Sequence, residues 1–157
     1  MIIVRDAVQA DADTLWSIRT RAIAQVCAPV YSAEVIGKWL AVPMPVCWGQ
    51  MLVEKQAIVA TLERQAAGFG ILDIKAQTIE AVFASPEHAG NGIGRQLMAG
   101  LEALAARSGL TRLQLSSSLN AVNFYTRAGY QTDSKTRFSH PAGFALDCHL
   151  MSKQLVG

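Results

Sequence analysis

The chain has 157 residues, 51% of them hydrophobic and 17% charged, with a formal net charge of +2. A chain of this length buries about 70% of its unfolded surface, so one folded domain over residues 1–157 is expected and intrinsic disorder is excluded. Lys and Arg are scattered, which argues against a protein built to hold nucleic acid.

The opening run MIIVRDAVQADAD lacks the basic start and apolar core of a secretion signal. No apolar run approaches the roughly 20 residues of a membrane span, so a cytoplasmic protein with no membrane partner is expected. Ile2 to Arg5 reads as a short strand. Leu15, Ile18, Ala22, Ile23 and Val26 then recur at helical spacing, with Asp11 or Asp13 able to cap the start. After Pro29, YSAEVIGKWL reads as a second helix with Ser32 as its N-cap, and PVCWGQMLV as a short third one. From Gln56 the texture changes to three apolar runs, QAIVATLE, AAGFGILDI and TIEAVFAS, which predict an antiparallel meander. A longer helix follows, with Ile93, Leu97, Leu101 and Leu104 on one stripe and Gly109 as its stop. LTRLQLSS is a strand, NAVNFYTRAG a short helix closed by Gly129, and YQTDSKTRF and GFALDCHLMSKQL are two further strands. The order predicts an α+β domain, sandwich-like, with a mixed, mainly antiparallel central sheet of about seven strands flanked by helices.

Cys27, Cys47 and Cys148 are widely spaced without a CxxC, which fits reduced, buried thiols. His88, His140 and His149 are dispersed and show no metal-binding spacing, so no metal is expected.

The stretch SPEHAGNGIGRQLM places Gly90, Gly92 and Gly94 at alternate positions between a strand and a helix. Bare backbone there lets successive amide N–H groups converge, and the helix start adds about half a positive charge, which suits a phosphate or diphosphate. A turn that merely packs strand against helix is the structural alternative. A dinucleotide fingerprint would need glycine where Arg95 or Leu97 stands, and no GK followed by Ser or Thr supplies a Walker loop.

AGNGIG, Ala89 to Gly94, resembles the acetyl-CoA signature (Gln/Arg)xxGx(Gly/Ala) of the GNAT superfamily of N-acetyltransferases, with Ala89 where Gln or Arg is usual. Downstream, SLNAVNFYTRAGY resembles the second motif of that family, and the element order matches along nearly the whole chain. VYSAEVIGKW and LMSKQL are similar to small, single-domain bacterial members.

The resemblance implies direct transfer of an acetyl group from acetyl-CoA to a primary amine of a small molecule or peptide. It implies a diphosphate held by the backbone of Ala89, Gly90, Asn91, Gly92, Ile93 and Gly94, with Arg95 nearby. It implies a pantetheine arm beside Val82, Phe83 and Ala84, and Tyr125 as the acid that meets the departing sulfur. Asn120 would contact that arm or cap the following helix. Strand alternation puts Glu80 on the face of Val82 and Ala84 unless a bulge intervenes, making it the candidate base, with Asp73, Asp147 and His149 in reserve. An exposed strand carboxylate is the alternative for Glu80. An acceptor pocket would draw on Tyr31, Trp39 and Trp48 and on the region from Arg137 to His149, although aromatic residues at such positions are more often core. A homodimer is compatible with the family. A non-catalytic acyl-CoA-binding sensor is the competing reading.

Overall fold

The computed structural model describes residues 1–155. Strands β1 (Ile2–Asp6), β2 (Ile58–Leu62), β3 (Gln65–Asp73), β4 (Thr78–Ala84), β5 (Arg112–Ser118), β6 (Gln131–His140) and β7 (Phe144–Gln154) form one sheet in the order β1-β2-β3-β4-β5-β7-β6. Helices α1 (Ala12–Ala22), α2 (Ala33–Leu40), α3 (Trp48–Glu54), α4 (Ile93–Arg107) and α5 (Val122–Arg127) cover its two faces. The mixed, mainly antiparallel seven-stranded sheet is the one expected from the sequence. Every adjacent pair is antiparallel except β4 and β5.

On one face α4 lays Leu97 and Leu101, both wholly buried, against Leu113, Leu115 and Met151 of the sheet. Gly68 and Gly70 in β3 permit this approach, because a Cβ there would lie 2.7 Å from Ile93 Cγ2 and 2.9 Å from Leu101 Cδ1. The start of α4 is thereby pressed onto the sheet beside the end of β4. The other face packs Leu15 and Ile18 of α1 with Trp48 and Leu52 of α3 around Phe69. Phe69 is wholly buried between the rings of Trp48 at 6.0 Å and Phe83 at 5.6 Å. Replacing Phe69 with Ala is expected to cost about 3 to 5 kcal/mol, read by urea unfolding; a cost under about 1 kcal/mol would show that this layer is not a packed core.

Three local expectations change. Asp11 does not cap α1: its Oδ2 accepts from the Val8 amide at 2.8 Å, and its carboxylate pairs with Arg5, tying the helix entry back to β1. The α1 helix continues through a π-turn, Ile23–Cys27. Such a turn takes up one more residue than an α-turn, so the inward position passes from Val26 to Cys27 and Val26 stands exposed. On α4 the stripe ends at buried Ala105, with Leu104 only partly covered. Ser32 does cap α2, accepting from the Val35 amide at 3.2 Å. Among the described residues no helix is long and apolar enough to cross a membrane.

Candidate active site

Strands β4 and β5 run parallel and pair only at Thr78 with Gln114 and Ile79 with Leu115. Beyond that point the pairing stops and a gap opens between them. The Ser85 amide donates to Ala67 O at 2.7 Å, which fixes the phase of the β3–β4 ladder. Antiparallel pairs alternate between bonded and non-bonded, so Phe83 is bonded to β3 while the backbones of Val82 and Ala84 face the gap. Of the three strand residues expected to flank a bound arm, Val82 and Ala84 turn their backbone toward the gap, and all three line the cavity described below.

A bulge interrupts β4 at Glu80, since Ala81 pairs with Ile71 and Ile79 with Leu72. Alternation resets there: Ile79 and Val82 both pack on the α4 side, Ala81 and Phe83 on the α1 side. Glu80 accordingly does not share the face of Val82 and Ala84 as regular alternation requires. Its carboxylate accepts from Lys55 Nζ at 2.5 Å, just past α3, and Asp73 lies 3.8 Å from the same ammonium. Glu80 still lines the cavity described below.

After β4 the chain makes a single turn at Pro86–His88 and reaches the glycines. Gly90 and Gly92 have φ of +84° and +81°, the left-handed region that other residues rarely adopt. The first bond of α4 runs from Gln96 N to Gly92 O, so the amides of Ile93, Gly94 and Arg95 are helix-start donors left over by the helix itself. Within the expected six-residue cradle the amides of Ala89 and Asn91 are turned inward, to Pro86 O and His88 O, each at 3.3 Å. The outward donors are therefore those of the glycines and of the first helical turn. The Asn91 side chain also donates to His88 O at 3.0 Å, and Glu87 pairs with Arg21 of α1. The loop is held in shape by its own bonds, which makes the missing polar side chain at Ala89 less consequential. Arg95 is exposed in the first turn of α4.

A cavity of about 730 Å³ passes from this loop through the β4–β5 gap to the α1–α2 side. Tyr125 lines it from α5, only 8% exposed, and burial pushes its phenol well above the ordinary range, so it is protonated at neutral pH. Phe124 rests against the start of α4, where a Cβ at Gly94 would lie 2.9 Å from its ring. Asn120 also lines the cavity, and its Oδ1 is buried with no hydrogen-bond partner. The N-cap position of α5 is Ala121, so capping is not the role of Asn120. A polar atom stranded this way in a cavity wall fits a ligand that brings a donor. Ser85 Oγ is another such atom on the same wall.

On the α1–α2 side, Tyr31 and Trp39 line the cavity with their rings 6.0 Å apart and nearly perpendicular. The Tyr31 hydroxyl is committed: it donates to Asp147 O at 2.7 Å and accepts from the Leu119 amide at 3.0 Å. Trp48, expected beside them, belongs instead to the core, with its indole N–H donating to Ala12 O at 2.9 Å. Of the region from Arg137 to His149, Phe138, Leu146 and Cys148 reach the cavity. Arg137 pairs with Asp147 at 3.2 Å, and His149 meets Thr132 Oγ1 at 3.0 Å. Val26, Cys27 and Ser118 also line the cavity and were not anticipated from the sequence. Cys27 is buried, which raises its thiol to about 11 and leaves it a neutral wall atom. Among the described residues no group of His, Cys, Asp and Glu could hold a metal ion.

The chain superposes along nearly its whole length on known structures. A GCN5-related N-acetyltransferase from Rhodopseudomonas palustris, also described as a class-II aminotransferase, is 26% identical and superposes with a TM-score of 0.90, over 98% of this chain and 95% of that one. PaiA N-acetyltransferase from Thermoplasma acidophilum, solved in complex with coenzyme A, is 20% identical with a TM-score of 0.77, over 98% and 99% of the two chains. YncA from Salmonella typhimurium, solved with its cofactor acetyl-CoA, is 22% identical with a TM-score of 0.69, over 99% and 94%. No curated protein matches the chain. The sequence model of the acetyltransferase (GNAT) domain matches residues 27–143, which include β4, the glycine loop, α4 and α5. The chain therefore belongs to the GNAT acetyltransferase family.

Proposed function

We propose that the protein transfers the acetyl group of acetyl-CoA directly to a primary amine. The observation that carries this reading is that Gly94 in the amide-bearing first turn of α4, the stranded Asn120 Oδ1 and Tyr125 all line one cavity through the β4–β5 gap. The PaiA and YncA structures, which hold coenzyme A and acetyl-CoA, support the same ligand here.

In this reading the amides of Gly90, Gly92, Ile93, Gly94 and Arg95 hold the diphosphate, aided by the positive end of the α4 dipole. The pantetheine arm lies in the gap, with its amide groups meeting Asn120 and the exposed backbone of Val82 and Ala84. An N–H from that strand polarises the thioester carbonyl, a type of contact worth about 3 to 4 kcal/mol in acyl-transfer enzymes. The amine arrives from the α1–α2 side, and its nitrogen lone pair attacks the carbonyl carbon. The C–N bond forms, the C–S bond breaks with its electron pair on sulfur, and the ammonium proton is released. Glu80 is placed to accept that proton through water, on the far side of the bulge from the arm.

Tyr125 faces the departing sulfur. A thiolate of ordinary pKa about 8.5 is a weaker base than the phenolate of a phenol raised above its usual 10, so full proton transfer from Tyr125 runs uphill. Tyr125 therefore stabilises the sulfur as a hydrogen-bond donor, and the proton that completes the thiol comes from water.

Thiol release with acetyl-CoA and a panel of amines tests the reading, beside calorimetry with acetyl-CoA alone. No binding at millimolar acetyl-CoA would overturn both transfer and sensing; binding without thiol release for any amine would favour a sensor. Glu80→Gln is expected to lower kcat/KM by about a hundredfold, the usual scale of a general base. A change below threefold would mean that the amine enters already deprotonated and that Glu80 serves only to hold Lys55.

A further inference from the structure

The half of the cavity on the α1–α2 side is walled by Val26, Cys27, Trp39, Phe138, Leu146 and Cys148. Val26 and Phe138 stand at its rim, 44% and 46% exposed, and extend the apolar wall to the mouth. The Tyr31 hydroxyl has both its partners, and Asp147 turns outward to Arg137. Among the described residues lining the cavity, Glu80 is the one acidic side chain, and it is already paired with Lys55, which also lies 3.8 Å from Asp73. A second ammonium on an acceptor would compete with Lys55 for that single carboxylate, whereas an alkyl chain or aromatic ring would find a ready apolar wall. Tyr31 also straps the α1–α2 connection onto β7 and onto the residue that follows β5, which holds this wall of the cavity in place.

On the reading that the site is an acetyltransferase, we infer that its acceptor is a small monoamine carried on an uncharged apolar body, an arylalkylamine or alkylamine, and not a polyamine or a lysine-bearing peptide.

The test measures kcat/KM at saturating acetyl-CoA for n-propylamine through n-hexylamine, 2-phenylethylamine, spermidine and a lysine-containing peptide. Binding of 2-phenylethylamine is followed separately by tryptophan fluorescence, with and without CoA. The expected result is a rise of about fourfold per added methylene until the wall is filled, the increment for burying one CH₂ group. 2-Phenylethylamine should exceed spermidine and the peptide by at least about a hundredfold, since its ring buries several such groups. Phe138→Asp, on an exposed strand position that the fold does not need, should lower the rate with 2-phenylethylamine at least tenfold and raise that with spermidine. A flat alkylamine series, or spermidine or the peptide as the best acceptor, overturns the inference while leaving the acetyltransferase reading intact. Acetyl-CoA binding with neither turnover nor fluorescence change for 2-phenylethylamine overturns it too. Failure to bind acetyl-CoA strikes the underlying reading instead, and the fluorescence titration then still decides whether the cavity takes apolar amines.

Discussion

Tyr125→Phe is expected to lower kcat by about 10- to 100-fold while leaving the Kd for acetyl-CoA within about twofold. The size follows from the role. A hydrogen bond to a charged group contributes about 1.5 to 3 kcal/mol, which spans that range, whereas full proton delivery by a general acid contributes 10² to 10⁴. Burial holds the phenol above its ordinary range, on the side that favours donation without transfer. The affinity should survive because the phenyl ring keeps the packing of Tyr125 against Phe124 at 5.1 Å and Tyr130 at 6.1 Å, and only one oxygen is removed. Steady-state kinetics with an identified amine, beside calorimetry, checks both halves. A loss under threefold would remove Tyr125 from the reaction, and a loss above about 10³ would restore it as a true proton donor. No alkaline limb between pH 7 and 9 should belong to Tyr125, because its raised pKa keeps it protonated throughout.

The elements that set up this site were legible to different depths. Periodicity identified every strand and helix in order, since the meander and the α4 stripe are local signals read within one segment. The insertion of β7 between β5 and β6 was not, because strand order depends on pairing across the chain, although the polar, exposed run of β6 beside the apolar run of β7 is the pattern of an edge strand next to an interior one. The bulge at Glu80 has no sequence signature, yet it decides the side from which the carboxylate acts. Trp48 and Trp39 look equivalent as exposed-or-core aromatics; one is held in the core through Ala12 O and the other borders the cavity. Asn120 was open between capping and contact, and the position of the α5 cap at Ala121 separates the two. Of the three thiols expected to be buried, Cys27 and Cys148 are, as cavity walls, whereas Cys47 is exposed just ahead of α3. In each case the missing information was tertiary: which face of the sheet, and which side of the gap.

Gly92→Val is expected to raise the Kd for acetyl-CoA at least tenfold while the protein stays folded. The reason is not a clash within the protein, since a Cβ at Gly92 meets nothing within 4 Å. It is backbone geometry: with φ +81°, a β-branched residue is strained by about 1 to 3 kcal/mol. The loop can relieve that strain by turning Gly92 to negative φ, and the first-turn amides then lose their common direction. If it does not turn, the isopropyl group projects into the open space over those amides, where a diphosphate would sit. Either route weakens diphosphate binding, and neither touches the gap. The discriminating measurement compares CoA with pantetheine, which lacks the diphosphate: the variant should lose affinity for CoA and keep that for pantetheine. Gly94→Ala should behave differently, because its Cβ would press on the Phe124 ring at 2.9 Å and disturb the wall beside Tyr125, lowering kcat more than affinity. A Gly92→Val protein that binds CoA as tightly as the parent would place the diphosphate away from the α4 start. Equal losses for CoA and pantetheine would show that the glycines shape the whole gap and not an anion cradle.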